Sequence, residues 1–260
     1  MLSSSSWCLS STSLPLTSSC NGNEHHFSKH APKYWDNFYK LHQNKFFKDR
    51  HYLVKDWGRY FSNDEDVDDR KVVLEVGCGP GNTIYPLLDA FPNMYVHACD
   101  FSPQAISLVK GHPNFNASQM NVFVCDVATD DLSISISPSS VDVITLIFTL
   151  SAFSPNKMSL VLQNLRKVLK PNGFVLFRDY AIGDSAQVKL QKKNQLISEN
   201  FFFRGDGTCS FFFSEDFLST LFSAGGFDIM DVSTYYREIE NRSKNITMQR
   251  YWIRGIFRAN

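Results

Sequence analysis

The stretch LEVGCGPGN, Leu74 to Asn82, places glycines at 77, 79 and 81 directly after the apolar run KVVLEV. A short apolar run ahead of turn residues reads as a buried strand. Three alternate glycines after it call for a backbone that turns tightly and stays bare, because something approaches it closely. A helix follows over about 82–91, and the theme then repeats. MYVHACD reads as a second strand ending at Asp100, before a helix opening at SPQAISLVK, with Ser102 as N-cap and Pro103 in its first turn. NVFVCD is a third strand ending at Asp126, and VDVITLIF a fourth. NKMSLVLQNLRKVLK is amphipathic, with Met158, Val161, Leu162, Leu165, Val168 and Leu169 on one face. PNG stops that helix, and FVLFRDY is a fifth strand. Strands alternating with helices predict an α/β fold, a mostly parallel sheet with helices on both faces. Right-handed crossovers bring the strands' carboxyl ends to one rim.

In such a sheet, ligands sit at the carboxyl ends near the point where strand order reverses. The spacing here is GxGxG. The dinucleotide fingerprint GxGxxG needs glycine at position 82, where Asn82 stands, so a nicotinamide oxidoreductase is the least favoured reading. GxGxG is the variety used by enzymes that hold S-adenosylmethionine. Asp100, 19 residues after Gly81, is placed to accept both ribose hydroxyls, and Asp126 to take the exocyclic amine of an adenine. Either acid alone is equally well a cap or a turn residue. Two at successive strand ends on one rim make a purely structural account of both much weaker.

The rest of the 260-residue chain is read as one domain with an extension. The first 23 residues carry nine serines and no charge, and are read as part of a disordered tail over residues 1–28. A plastid or mitochondrial address is the alternative, weakened by the lack of arginine. A cytoplasmic location is expected, with the nucleus also open. No apolar run approaches the ~18 residues that span a bilayer, so no membrane partner is expected. The six cysteines show no CxxC spacing and are read as buried free thiols, with no metal site. From Lys29 to Phe61 the chain mixes aromatics with eight Lys/Arg and three acids. On pattern alone this is an amphipathic helix packed on the domain that follows; the sharper alternative is a lid over a ligand. SNDEDVDD, residues 62–69, marks a solvated boundary before the main domain at 70–260. FFFRGDGTCSFFF reads as a hairpin with its glycines in the turn. It closes an insertion over about 181–213 whose phenylalanines are mostly core. Net charge is zero, yet residues 236–260 carry six basic and two acidic side chains, and Lys189, Lys192 and Lys193 cluster. Together with the N-terminal cations these are candidates for one phosphate-binding face, the alternative being scattered solvated surface.

Set together, KYWDNFY (33–39), FFKDRH (46–51), LEVGCGPGNTIYPLL (74–88), CDFSPQAI (99–106), LSAFSPNKM (150–158), VLKPNGFVLFRDY (168–180) and FRGDGT (203–208) give the chain a resemblance. It resembles the class I S-adenosylmethionine-dependent methyltransferases, and among them the family that forms N(3)-methylcytidine in tRNA. The glycine motif is common to many methyltransferases; FFKDRH with FRDY and RGDGT is far more specific. The resemblance implies a Rossmann-like, seven-stranded sheet and a reaction at position 32 of the anticodon loop. Trp35 and Tyr39 would then close over the cofactor, reversing the plainer reading of their segment. Gly77 and Gly79 would cradle it, Asp100 hold its ribose, Asp126 its adenine, and Ile147 wall it. Arg50 would link lid, cofactor and tRNA. Arg178, Asp179, Arg204 and Asp206 would lie on the target side, Asp179 offsetting the charge that forms on the base. The resemblance also implies an aminoacyl-tRNA synthetase, seryl-tRNA synthetase, as a helper. A small-molecule methyltransferase shares the glycine loop and both acids, and a non-catalytic module would be expected to show a broken pocket.

Overall fold

The computed structural model describes residues 22–62, 70–241 and 246–260. Most of the serine-rich tail and of the acidic boundary lies outside these residues. Two helices come first, α1 (Gly22–His42) and α2 (Tyr52–Phe61). The main domain then runs β1 (Val72–Val76), α3 (Ile84–Ala90), β2 (Tyr95–Asp100), α4 (Pro103–Lys110), β3 (Met120–Val124), β4 (Val141–Ile147), α5 (Pro155–Val168) and β5 (Leu169–Tyr180). It continues with α6 (Ser185–Lys192), β6 (Leu196–Ser198), β7 (Phe201–Phe203), β8 (Cys209–Phe211), α7 (Glu215–Ala224), β9 (Phe227–Asn241) and β10 (Ile246–Ala259).

Seven strands form one sheet in the order β3-β2-β1-β4-β5-β10-β9. The first five are parallel, and β10 runs antiparallel to both β5 and β9. The chain winds outward from β1 to β3, then returns to place β4 on the other side of β1. The strand order therefore reverses at the β1–β4 pair, where the glycine loop leaves the sheet. Side chains alternate between two cores. Leu74, Val76, Val175 and Phe177 pack with α5 and α7, while Val73, Val143 and Leu176 pack with α2, α3 and α4. The expected apolar face of α5, Met158 to Val168, is fully buried.

Several boundaries differ from expectation for local reasons. α1 starts at Gly22, seven residues inside the segment read as tail. α3 starts at Ile84 rather than 82, because the residues up to Thr83 complete the glycine turn. β3 stops at Val124, since the Asp126 side chain accepts from Ala128 N–H and its carbonyl from Thr129 and Asp130, which turns the chain. β5 begins at Leu169, immediately after α5, and PNG forms an irregularity inside it, with Asn172 at φ 61°.

The hairpin is β7–β8, in a small antiparallel sheet with β6. Phe201, Phe202, Phe211, Phe212 and Phe213 are all buried. Phe222 of α7 stacks on Phe257 of β10 at 3.6 Å, both with no exposed surface. Phe222→Ala leaves a cavity there and is expected to lower stability by about 3–5 kcal/mol, read as a fall in the urea midpoint at unchanged slope.

Candidate functional site

Side chains from α1, α3 and the turn after β4 press on the glycine loop. A Cβ on Gly77 would lie 2.4 Å from Thr149 Cγ2, one on Gly79 2.9 Å from the Tyr39 hydroxyl, and one on Gly81 2.5 Å from the Tyr85 ring. All three glycines also have positive φ, at 65°, 53° and 96°. The loop is tied to β2: Cys78 N–H donates to the Cys99 carbonyl at 3.0 Å, and Gly79 N–H to Asp100 Oδ2 at 3.0 Å. The other Asp100 oxygen accepts from Ser102 N–H at 2.9 Å. Burial pushes the Asp100 carboxyl up to about 6, against the pull of these donors.

Helix α1 lies across this loop. Trp35, Phe38 and Tyr39 pack on Ala105 of α4. Asp36 Oδ1 accepts from Ser102 Oγ at 2.9 Å and Gln104 N–H at 3.0 Å, at the start of α4. Further along, Phe27 stacks on Phe203 of the hairpin at 4.8 Å, and Glu24 accepts from the Ser154 hydroxyl. A Cβ on Gly207, in the RGDGT turn, would lie 2.4 Å from the Tyr34 ring. The segment is thus both a packed amphipathic helix and a cover over the rim.

Two cavities meet beneath it. The first is lined by Trp35, Tyr39, Arg50, Gly77, Gly79, Ile147, Arg204 and Asp206. The second shares Trp35, Tyr39, Gly77 and Phe148 with it and adds Asp100, Phe101, Cys125, Val127 and Phe153. Asp126 lines an adjoining recess with Phe27, Pro32 and Lys157, bounded by the same Phe101, Ala152 and Phe153. Its neighbours Cys125 and Val127 line the second cavity, and its Oδ1 accepts from Ala128 N–H at 3.1 Å. Asp100 therefore lines the second cavity itself, and Asp126 the recess that adjoins it.

Arg178 and Asp179 are the expected site residues that line none of these spaces. Adjacent on β5, they point to opposite faces. Arg178 turns toward α2, pairing with Asp56 at 3.0 Å and lying over the Tyr52 ring at 4.1 Å. Asp179 has no exposed surface; it accepts from Ser151 and Tyr180 N–H groups, each at 2.9 Å. Burial raises its carboxyl to about 6, opposed by those bonds and by Arg204. Asp179 thus supports Ser151 on the cavity wall from behind, and does not itself reach the cavity.

Arg50, an expected site residue, is joined by contributors that escaped sequence reasoning: Glu75, Phe148 and Asn82. Arg50 donates to Thr83 Oγ1 at 2.8 Å and to the Ile147 carbonyl at 3.2 Å, and lies 3.8 Å from Glu75. Glu75 is fully buried beside Thr145, and that burial raises its carboxyl to about 7 despite Arg50. Phe148, at φ 55°, lines both cavities, and Asn82 is held by Asp49 at 2.8 Å. An acid within an apolar strand is the signal that could have found Glu75. Nothing local marks Phe148, because its backbone follows from the turn after β4. The basic face is partly neutralised: Arg250, Arg254 and Arg258 lie 2.8, 3.8 and 2.8 Å from Asp184, Asp231 and Asp228. Lys189, Lys192 and Lys193 are exposed on and just after α6.

The site has the donor set for a nucleoside-bearing ligand. Bare backbone lies at Gly77, an acid at the end of β2, and aromatic rings above. Trp35 Nε1 is buried at the cavities with no hydrogen-bond partner among the described residues. Comparison with known proteins agrees. Residues 74–175 match the model of a methyltransferase domain. The human tRNA N(3)-cytidine methyltransferase METTL6 is 44% identical over 87% of this chain and 80% of its own length. The tRNA N(3)-methylcytidine methyltransferase trm141 of Schizosaccharomyces pombe is 38% identical over 89% of this chain and 94% of its own. The chain belongs to the tRNA N(3)-cytidine methyltransferase family. A crystal structure of an S-adenosylmethionine-dependent methyltransferase from Anabaena variabilis overlays with a TM-score of 0.62 at 17% identity, over 90% of this chain and 95% of that one, a likeness of fold.

Two measurements on this methyltransferase follow from the geometry. Gly77→Ala places a methyl group against Thr149 in a backbone region hostile to it. S-adenosylmethionine affinity is expected to fall at least about tenfold while the protein stays folded, by calorimetry and circular dichroism. On the expected assignment of Asp100 to the ribose, protonation would remove an acceptor from its hydroxyls. Affinity is therefore expected to fall as pH drops below about 6, and Asp100→Asn, weaker at neutral pH, to show no such fall.

Proposed function

We propose that this protein methylates N3 of a cytidine at position 32 in the anticodon loop of tRNA, using S-adenosylmethionine. The carrying observation is that one cavity joins the cofactor side, Gly77 and Gly79, to the hairpin turn that bears Arg204 and Asp206. The names of the relatives supply the substrate class. The cofactor, when bound, supplies an electrophilic methyl group on a sulfonium.

N3 of neutral cytosine offers a lone pair and carries no proton, so no side chain has to act as a base on it. The chain contributes placement, worth up to ~7–11 kcal/mol in favourable cases. In this reading Gly77 and Gly79 bring backbone against the cofactor, and Asp100 takes the ribose hydroxyls. Asp126 reaches the adenine end from its recess, while Trp35 and Tyr39 exclude water from above. Arg50 fixes the wall at Ile147 and Thr83. The target base must leave its stack to present its Watson–Crick edge, at lower cost in a loop than in a duplex. Arg204, held by the Cys209 carbonyl at 3.2 Å, faces the RNA side. The carboxylate on the cavity wall is Asp206, which takes over from Asp179 the role of offsetting positive charge on the base. Seryl-tRNA synthetase is the proposed helper, and the cytoplasm, with the nucleus, the proposed location.

The test is transfer of labelled methyl groups to tRNA followed by nucleoside analysis. The expected product is 3-methylcytidine, lost when cytidine 32 is replaced by uridine. Asp206→Asn is expected to lower kcat about tenfold with little change in cofactor KM. Label in a small acceptor and none in tRNA would favour the small-molecule reading instead.

A further inference from the structure

Much of the surface that α1 sets on the main domain is apolar: Trp35, Phe38 and Tyr39 pack with Ala105, and Phe27 stacks on Phe203 at 4.8 Å. Such contacts are weakly directional, and a helix resting on them alone is free to slide or roll. Hydrogen bonds are directional. Asp36 and Glu24 supply side-chain bonds from α1 to the main domain, and Glu24 lies about three turns away from the cavities. Asp36 sits one residue from Trp35 and three from Tyr39. Helical spacing puts it on the same side as Tyr39, whose hydroxyl rests against Gly79.

The residue that Asp36 meets is unusual in its connections. Ser102 has no exposed surface. Its hydroxyl donates to Asp36 and accepts from Ala105 N–H at 3.2 Å, capping α4. Its backbone N–H donates to Asp100. One buried serine therefore touches the cover, the helix start and the acid assigned to the ribose. Asp36 also accepts from Gln104 N–H in the first turn of α4, where a negative charge is favoured. Its second oxygen pairs with Lys40 at 2.8 Å, which leaves Oδ1 for the core.

We propose that Asp36 is a positioning residue for cofactor binding: it sets the height and rotation of α1 and couples that docking to Asp100 through Ser102. The proposal rests on the proposed assignment of Asp100, Trp35 and Tyr39 to the cofactor. It concerns affinity for the cofactor, since Asp36 touches neither reacting group.

The experiment measures S-adenosylhomocysteine binding by calorimetry for wild type, Asp36→Ala, Asp36→Asn, Ser102→Ala and the double alanine variant, with melting temperatures alongside. Asp36→Ala is expected to raise Kd about tenfold. Asp36→Asn keeps an acceptor oxygen toward Ser102 and Gln104 and is expected to stay within about twofold of wild type. Ser102→Ala is expected to weaken binding severalfold, and the double variant to be no weaker than Asp36→Ala, because both break one link. A purely structural role would lower the melting temperatures and leave Kd in place.

Asp36→Ala within twofold of wild type overturns the proposal, as does a double variant in which the two losses multiply. If Asp36→Ala does not fold, Ser102→Ala decides alone, and an unchanged Kd there overturns it. Failure of the wild-type protein to bind the cofactor would defeat the proposed function as well, and shows before any variant is made.

Discussion

A buried carboxylate between two backbone N–H groups organises this molecule. Asp100 accepts from Gly79 in the glycine loop and from Ser102 at the head of α4. It thereby joins the turn after β1 to the turn after β2. Placing an acid where it is 5% exposed has a cost, visible in its raised pKa. The same desolvation makes it a strong acceptor for hydroxyls that arrive when water is excluded. The glycine loop, the head of α4 on which α1 is seated and the wall of the second cavity all meet at this one side chain.

The sheet sets which neighbours can work together. Two parallel strands at the reversal point leave their connections on one rim, so Thr149 after β4 meets Gly77 after β1. Strict alternation then separates residues adjacent in sequence. FRDY looks like a single motif, yet Arg178 faces the α2 side and Asp179 the Ser151 side. Arg178 fastens α2 to β5 by an ion pair and a ring contact, and its role is read most directly as holding the elements under the cover.

The fold was legible because its signals are periodic and local: apolar runs of strand length, a helix with one clean apolar face, glycines and a capped helix start at the turns. The two antiparallel strands at the far edge were not derivable from residue pattern, since no local signal fixes pairing direction or order. The grouping of the residues expected at the cofactor was legible for a related reason. Gly77, Gly79 and Asp100 lie within one β-loop-α unit and the strand beside it, so sequence spacing maps directly to space. The surroundings of Arg204 and Asp206 were not, because that part of the cavity is assembled from α1, the hairpin turn and the end of β5. Which of Asp179 and Asp206 faces the cavity depends on strand phase and on a turn seated by Tyr34. Asp36 was passed over because a carboxylate in a charged helix looks like solvated surface until its partner on α4 is seen.

Tyr34 fills the space that a side chain at position 207 would occupy, and Phe27 lies flat on Phe203 nearby. The helix above the cavities and the turn bearing Arg204 and Asp206 are therefore mated surfaces. Lifting one strips the packing from the other, so the two proposed halves of the site share a single door.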